Sequence, residues 1–199
     1  MFQQSSYSEK LTFFQKLRSF DFILIFCVLI LGIISNLSMY STDGGEFLYH
    51  SRSHLLRFVV FFTMMLFLSF FSLRFWHSTA YLFYIIVLGF LIWASLYGVT
   101  ASGSQRWINL HFINLQPSEL MKIAIITCFA RFFHREQVSN INSLKNILLS
   151  ITILILPILL VVSQPDLGTS ILIAISGLIV LWLAGFNIRY FIYSGLSLL

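Results

Sequence analysis

Six apolar runs, each close to 20 residues long, constrain this chain more than any other feature. They cover residues 20–40, 55–73, 78–98, 117–133, 144–162 and 168–186. About 20 apolar residues cross a hydrocarbon core of roughly 30 Å as an α-helix, and backbone groups in lipid must be paired within a helix or around a closed barrel. The runs lack the alternation of barrel strands. The sequence therefore predicts an all-α polytopic membrane protein with six complete transmembrane helices.

The composition argues against an ordinary soluble domain. Hydrophobic residues make up 58% of the chain and charged residues 10%, whereas about a quarter of the residues in soluble domains are charged. The net charge of +5 comes from basic residues scattered through short connections, which is typical of cytoplasmic loops and not of a nucleic-acid surface. Cys27 and Cys128 lie inside apolar runs, so we expect no disulfide. Membrane lipids are expected surroundings, and no nucleic acid is expected as a partner.

The distribution of basic residues predicts a cytoplasmic N-terminus. With residues 1–19 as a cytoplasmic tail, eight Lys and Arg residues fall inside, Lys122 falls within a span, and Arg52, Arg57 and Arg106 fall outside. Residues 20–199 then form one transmembrane domain. Its longest outside connection, residues 99–116, is predicted to be a periplasmic loop.

A further apolar run begins near Arg189 and continues to Leu199. Eleven helical residues at a rise of about 1.5 Å cover only half a bilayer, and a helix ending there leaves carbonyl groups unpaired in hydrocarbon. The sequence predicts a truncated seventh helix, and we expect the chain to be an incomplete form of a longer protein.

Three ionisable residues lie at the predicted starts of two spans. Glu119 and Lys122 are three residues apart, so a helix places them on one face, where they can pair with each other or with a ligand. Equally, Glu119 can stabilise the first helical turn while Lys122 reaches the headgroups. Asp166, between Pro165 and Gly168, has the same two interpretations. Pro117 and Pro165 fall where helices are expected to begin.

Two outside segments offer further candidates. Arg106 beside Trp107 can bind a phosphate or lipid headgroup, or serve as a simple interfacial anchor. Glu46, His50 and His54 are spaced four residues apart and could present three metal ligands on one helical face, although nothing else in the sequence supports a metal site.

Three motifs in order resemble the shape, elongation, division and sporulation (SEDS) family. The motifs are Gly103-Ser104-Gln105-Arg106-Trp107-Ile108, Gln116-Pro117-Ser118-Glu119-Leu120-Met121-Lys122 and Gln164-Pro165-Asp166-Leu167-Gly168-Thr169-Ser170. The short loop between the first two, and the apolar helix ending in Ala184-Gly185-Phe186, favour the RodA branch over the FtsW branch. The resemblance covers nearly the whole chain from the first span onward.

The resemblance implies a peptidoglycan glycosyltransferase of the bacterial inner membrane, working in cell elongation and rod-shape maintenance. Its substrate is lipid II, and its partner is a class B penicillin-binding protein. By this resemblance Arg106, Glu119 and Lys122 bind substrate. The supporting residues are Trp107, Pro117, Ser118, Pro165, Asp166 and Gly168.

The same resemblance places the catalytic base in a large periplasmic loop after the seventh helix. We therefore expect no catalytic residue within this chain. The sequence does not define a cofactor, although a divalent cation is compatible with the chemistry. A lipid II flippase, or a non-catalytic remnant that still binds a partner, remains an alternative.

Overall fold

The computed structural model describes residues 13–18, 20–101, 104–109, 114–134 and 141–187. The helices are α1 (Phe13–Arg18), α2 (Phe22–Thr42), α3 (Tyr49–Ser69), α4 (Leu73–Tyr97), α5 (Pro117–His134), α6 (Leu144–Ser163) and α7 (Leu167–Leu183). The strands are β1 (Val99–Ala101), β2 (Ser104–Asn109) and β3 (Asn114–Leu115).

The predicted polytopic helical fold is confirmed, and α2 to α7 follow the six apolar runs. Four of these helices, α2, α3, α4 and α6, are long and apolar enough to cross a membrane. The other two depart from that pattern because α5 carries Glu119, Lys122 and Arg131 within 18 residues and α7 has only 17 residues. The predicted seventh helix from Arg189 lies outside the described residues.

The chain divides at Ser72 into two compact units. In the first unit, α2 begins at Asp21, whose carboxylate accepts hydrogen bonds from the backbone N–H groups of Ile23 and Leu24. Gly32 lets α2 and α3 approach closely, because a Cβ on this residue would overlap the Phe58 ring. Buried residues of α2 and α3, both fully described, are Gly32 and Ser51.

Asp43 joins the end of α2 to the beginning of α3. Its carboxylate accepts hydrogen bonds from the Ser51 backbone N–H at 2.8 Å and from the Ser51 hydroxyl at 2.5 Å, and it pairs with His50 Nδ1 at 2.9 Å. Leu48, which precedes α3, provides no side-chain cap. Asp43 therefore caps α3 from the preceding helix. Hydrogen bonds from Ser51 and the neighbouring His50 hold the pKa of this carboxyl below its usual value of 3.8.

Glu46, His50 and His54 do not come together as three metal ligands on one helical face in this unit. His50 contacts Asp43, and His54 Nε2 lies 3.1 Å from the Ser35 hydroxyl of α2. No group of three or more His, Cys, Asp or Glu side chains converges anywhere in the described ranges.

The second unit contains α4 to α7 and the three strands, and its core is centred on α5. Core positions on α5 recur every three or four residues, as expected for a helix with one buried face: Met121, Ala124, Ile125, Cys128 and Phe129. This helix packs against α4 and α7, while α6 packs against α7 and α4. The Tyr84 hydroxyl of α4 donates to the Ile153 carbonyl of α6 at 2.8 Å.

The connection predicted as a loop contains a small antiparallel sheet in the order β1-β2-β3. Trp107 lies opposite Val99, and Ile108 lies opposite Leu115. The difference has a local cause: β1 and β3 lie within a few residues of β2 on either side, close enough in the sequence to pair with it as antiparallel strands. The sheet fixes the position of Arg106, which a flexible loop would not.

Candidate functional site

One end of the second unit collects the three motifs. The end of α4 leads into the sheet, the sheet leads into α5 at Pro117, and α6 turns into α7 through Gln164 and Asp166. Gln164 is buried, and its side-chain amide donates to the Leu91 carbonyl of α4 at 3.1 Å. This bond ties the turn between α6 and α7 to α4, and so fixes the position of the following aspartate.

Asp166 is the residue on which the site converges. Its Oδ1 accepts from the Thr169 backbone N–H at 3.2 Å and caps α7. Its Oδ2 accepts from the Gln116 side-chain amide at 3.0 Å and lies 3.3 Å from an Arg106 terminal nitrogen. The first-turn position expected from the sequence is therefore present, and the carboxylate also joins the sheet to α7.

Arg106 lies on β2 with its side chain 26% exposed, whereas that of Asp166 is 9% exposed. Its Nε is buried and has no hydrogen-bond partner among the described residues. The side chain is nevertheless partly exposed, and Asp166 engages only one of its terminal nitrogens, so the guanidinium retains N–H groups for a further acceptor. A phosphate is a suitable acceptor, because two of its oxygens can take two parallel N–H bonds from one planar guanidinium.

A second ion pair lies at the start of α5. Lys122 Nζ is 2.8 Å from Glu119 Oε2, the two side chains being 24% and 55% exposed respectively. The sequence predicted that these residues share a helical face, and the pair forms. In the described residues, Lys122 pairs with Glu119 and Arg106 pairs with Asp166, so the predicted binding residues form two separate ion pairs.

The remaining predicted support residues lie close to these pairs in the chain. Pro117 is the first residue of α5 and is buried, as expected for a residue without an N–H. Ser118 follows it, and its buried hydroxyl has no partner among the described residues. Trp107 is half-buried on β2. Pro165 lies in the turn before α7, and Gly168 lies exposed in its first turn.

Sequence reasoning missed the roles of Gln116 and Gln164. Both belong to the motifs, but a motif pattern does not indicate which of its residues donates a hydrogen bond, or to which acceptor. The available signal was chemical: an amide beside proline at the end of a span has two N–H groups that must find acceptors once buried. The structure shows those acceptors to be Asp166 and the Leu91 carbonyl.

Comparison with known proteins agrees with the motifs. The chain matches the FtsW/RodA/SpoVE family, described as cell cycle protein, over residues 16–199. It is 44% identical over 106 residues to the peptidoglycan glycosyltransferase MrdB of Escherichia coli, which covers 53% of this chain and 28% of that protein. It is 34% identical over 152 residues to a probable peptidoglycan glycosyltransferase FtsW of Buchnera aphidicola, covering 74% of this chain and 43% of that protein.

Solved structures show the same fold at low sequence identity. RodA of Thermus thermophilus superposes with a TM-score of 0.76 at 20% identity, covering 90% of this chain and 58% of that chain. A chain of a peptidoglycan synthase complex gives a TM-score of 0.77, also at 20% identity, and covers 90% of this chain and 52% of that one. The chain thus spans less than two thirds of the length of these proteins. It is a multi-pass membrane protein, and it belongs to the FtsW/RodA/SpoVE family, the SEDS family that its motifs resemble.

Proposed function

We propose that this chain forms the lipid-binding part of a peptidoglycan glycosyltransferase that polymerises lipid II in the bacterial cytoplasmic membrane. The observation that carries the proposal is the Arg106–Asp166 pair, in which a carboxylate at the start of α7 holds a partly exposed guanidinium. The relatives named peptidoglycan glycosyltransferase support this assignment. The proposed reaction transfers the growing lipid-linked glycan chain onto the next lipid II, with release of undecaprenyl pyrophosphate, as the resemblance to the family implies.

The charges fit a substrate with a lipid tail and a pyrophosphate. Arg106 offers directed N–H groups, and Lys122 offers a compact charge near the start of α5. Asp166 and Glu119 balance these two cations in the absence of substrate, since an unpaired charge near hydrocarbon is costly. Each pair can exchange part of its interaction for a phosphate, so the site binds an anion without exposing an uncompensated cation beforehand.

The general base is proposed to lie outside this chain, in the large periplasmic loop of longer family members. In the described residues Glu119 pairs with Lys122, and Asp166 pairs with Arg106 and Gln116. These contacts support a role in holding the two cations, and the base that takes a proton from a sugar hydroxyl is proposed to be a separate carboxylate.

A class B penicillin-binding protein is the proposed partner. One structural neighbour belongs to a peptidoglycan synthase complex that coordinates polymerization and crosslinking. The proposed division of labour is that the SEDS protein makes the strand and its partner crosslinks it. The periplasmic side is proposed for the end that carries Arg106 and Asp166, which agrees with the predicted cytoplasmic N-terminus.

The direct test is lipid II turnover in liposomes with the cognate class B partner. The chain as printed is compared with a form continued through the periplasmic loop, and both polymer formation and lipid II flipping are measured. We expect polymer from the continued form alone. Lipid II flipping without polymer would favour a flippase, and neither activity in the continued form would favour a non-catalytic remnant.

A site variant connects that activity to α5. Lys122→Ala in the continued form removes a charge that binds the substrate but little core packing, so we expect polymer formation to fall at least tenfold, on the scale of a lost charged hydrogen bond. Arg74→Ala is the matched control because Arg74 is exposed in the first turn of α4, away from the three motifs. Equal rates for Lys122→Ala and the parent protein would remove Lys122 from the site.

A further inference from the structure

Arg57 is a charged residue within a helix that is long and apolar enough to cross a membrane. It is the ninth residue of α3, so its Cα lies about 12 Å along the helix from Tyr49 at 1.5 Å per residue. Its side chain is exposed. An arginine at this depth is costly unless its guanidinium finds an anion or the headgroup region.

The guanidinium is directed back toward the beginning of α3. Arg57 Nε donates to the Ser53 carbonyl at 3.1 Å, and a terminal nitrogen donates to the Ser53 hydroxyl at 2.6 Å. Ser53 lies one turn earlier, and one turn is about 5 Å. The charge therefore lies about 7 Å along the axis from Tyr49, nearer to the beginning of α3 than to the middle of the span.

Arg57 has no carboxylate partner within the described part of the chain. Ion pairs there involve Asp43, Glu119 and Asp166. Asp43 is occupied by His50 and Ser51, and its side chain is only 3% exposed. Two guanidinium N–H directions are used by Ser53, and the remaining donors of the five are available to an external acceptor.

His50 extends this face toward the helix end. It precedes Arg57 by seven residues, which is nearly two full turns, so the two side chains project from the same side of α3. Asp43 holds His50 through Nδ1, and the His50 side chain is 69% exposed. Because the Arg57 guanidinium points back by one turn, it lies within about 5 Å of the level of His50 along the helix axis.

We propose that Arg57, Ser53 and His50 form a binding site for the phosphate of a membrane lipid on the exposed face of α3. Arginine binds phosphate through two parallel N–H bonds, and Ser53 orients the guanidinium. The His50 Nδ1–H is directed at Asp43, so Nε2 on the same face donates to a phosphate oxygen only when the ring is doubly protonated. The ligand is a lipid phosphate, carried either by an anionic phospholipid or by a polyprenyl carrier. This inference does not rest on the proposed glycosyltransferase function.

The test is retention of defined lipids by the purified 199-residue chain, measured by native mass spectrometry after delipidation. The probes are phosphatidylglycerol, undecaprenyl phosphate and, as the phosphate-free comparison, diacylglycerol. We expect both phosphate lipids, or one of them, to be retained in preference to diacylglycerol. Equal retention of diacylglycerol would overturn the proposal before any variant is made, because no phosphate selectivity would exist.

Variants then locate the site. Arg57→Gln is expected to lower retention of the phosphate lipids about tenfold, the effect of losing hydrogen bonds to a charged group. Arg52→Gln is the matched control because Arg52 is an exposed arginine on the same helix, about 140° around the axis from Arg57 at 100° per residue. We expect a change below about twofold from this control, which lies outside the proposed geometry.

The pattern of losses identifies the ligand. A loss confined to undecaprenyl phosphate assigns the site to a polyprenyl carrier, and a loss confined to phosphatidylglycerol assigns it to bulk phospholipid. Unchanged retention in Arg57→Gln, or an equal loss in Arg52→Gln, would show general interfacial contact and overturn the site. Should Arg57→Gln not fold, Arg57→Lys keeps the charge, and we expect it to keep a reduced preference for phosphate lipids over diacylglycerol; no preference in that variant overturns the site as well.

Discussion

The two units use the same kind of apolar helix in different ways. In the first unit, α2 and α3 bury little more than Gly32 and Ser51, and they are joined by polar contacts at Asp43 and His54. In the second unit, α4 to α7 share one core around Met121 and Phe129 of α5. Apolar composition alone therefore does not distinguish a helix that faces lipid from one that positions a site.

The difference explains why the motif residues lie in the second unit. Lipid offers little net gain for burying one apolar face against another, so close association depends on packing and hydrogen bonds. In this unit, the core packs along α5, the Tyr84 bond joins the middles of α4 and α6, and the Gln164 bond ties the turn before α7 to α4. Asp166 lies in that turn and pairs with Arg106 of β2, and a proposed ligand site there would require rigid support of this kind.

The largest contrast is expected from removing one phenyl ring in each unit. Phe129→Ala should destabilise the protein by about 3–5 kcal/mol, because the ring is fully buried and its removal leaves a cavity. Phe61→Ala on α3 should cost less than about 1 kcal/mol, because Phe61 is exposed. Unfolding of the detergent-purified variants measures both values, and similar costs would contradict the difference in packing between the units.

Adding one methyl group in each unit should give a smaller contrast. A Cβ at Gly177 would lie 2.4 Å from the buried Leu154 side chain and 3.3 Å from the Phe129 ring, so Gly177→Ala should lose about 1–3 kcal/mol through overpacking. Against this cost, alanine is favoured over glycine in a helix by about 1 kcal/mol, both at Gly177 and at Gly32 of the first unit.

Gly32→Ala is the matched change in the first unit. Its Cβ would meet the Phe58 ring, but Phe58 is only half-buried and can rotate toward lipid. We expect a net effect within about 1 kcal/mol of zero. The same unfolding measurement applies, and a Gly32→Ala variant less stable than Gly177→Ala would show that the first unit is the more tightly packed.

The smallest effect is expected from acid. The pKa of Asp43 is lowered in the folded protein, chiefly by the hydrogen bonds from Ser51. Its contribution to stability is therefore complete above its ordinary value of 3.8 and is lost as the pH falls through the lower folded value. Hydrogen exchange of the α3 N-terminus should accelerate over that acidic range, relative to the intrinsic rate, in the parent protein.

Asp43→Asn supplies the comparison for this acid effect. It cannot titrate at this position, so the relative exchange at the start of α3 should be faster at neutral pH and should change little on acidification. An unaltered acid response in Asp43→Asn would assign the response to another group.

The sequence predicted the polytopic helical fold well, because the length and apolar character of the runs follow directly from the bilayer. It also predicted that Glu119 and Lys122 share a face, since residues three apart on a helix are neighbours, and their pairing is one of the interpretations that this spacing left open. The Arg106–Asp166 pair could not be predicted in this way, because it joins residues 60 positions apart and depends on a sheet that was expected to be a loop. The roles of Gln116 and Gln164 depend on the same tertiary contacts.

The units also differ in how much of their polar chemistry could be read from spacing. The stripe of Glu46, His50 and His54 suggested a metal site, but Asp43 and Ser35 engage the two histidines instead. Both competing partners lie on or beside α2, which residue spacing along α3 cannot reveal. Spacing along a helix thus predicts which side chains share a helical face. It predicts which side chains contact each other only where both residues are on the same helix.

The lipid II site is best tested by equilibrium binding of fluorescent lipid II to the 199-residue chain and to its Arg106→Gln variant. We expect measurable binding by the parent chain and a loss of about tenfold in Arg106→Gln, because a directed charged contact to phosphate is removed. Arg52→Gln in the first unit should leave affinity within about twofold. Equal affinity in the parent chain and Arg106→Gln would contradict the claim that the Arg106–Asp166 pair forms the lipid II site.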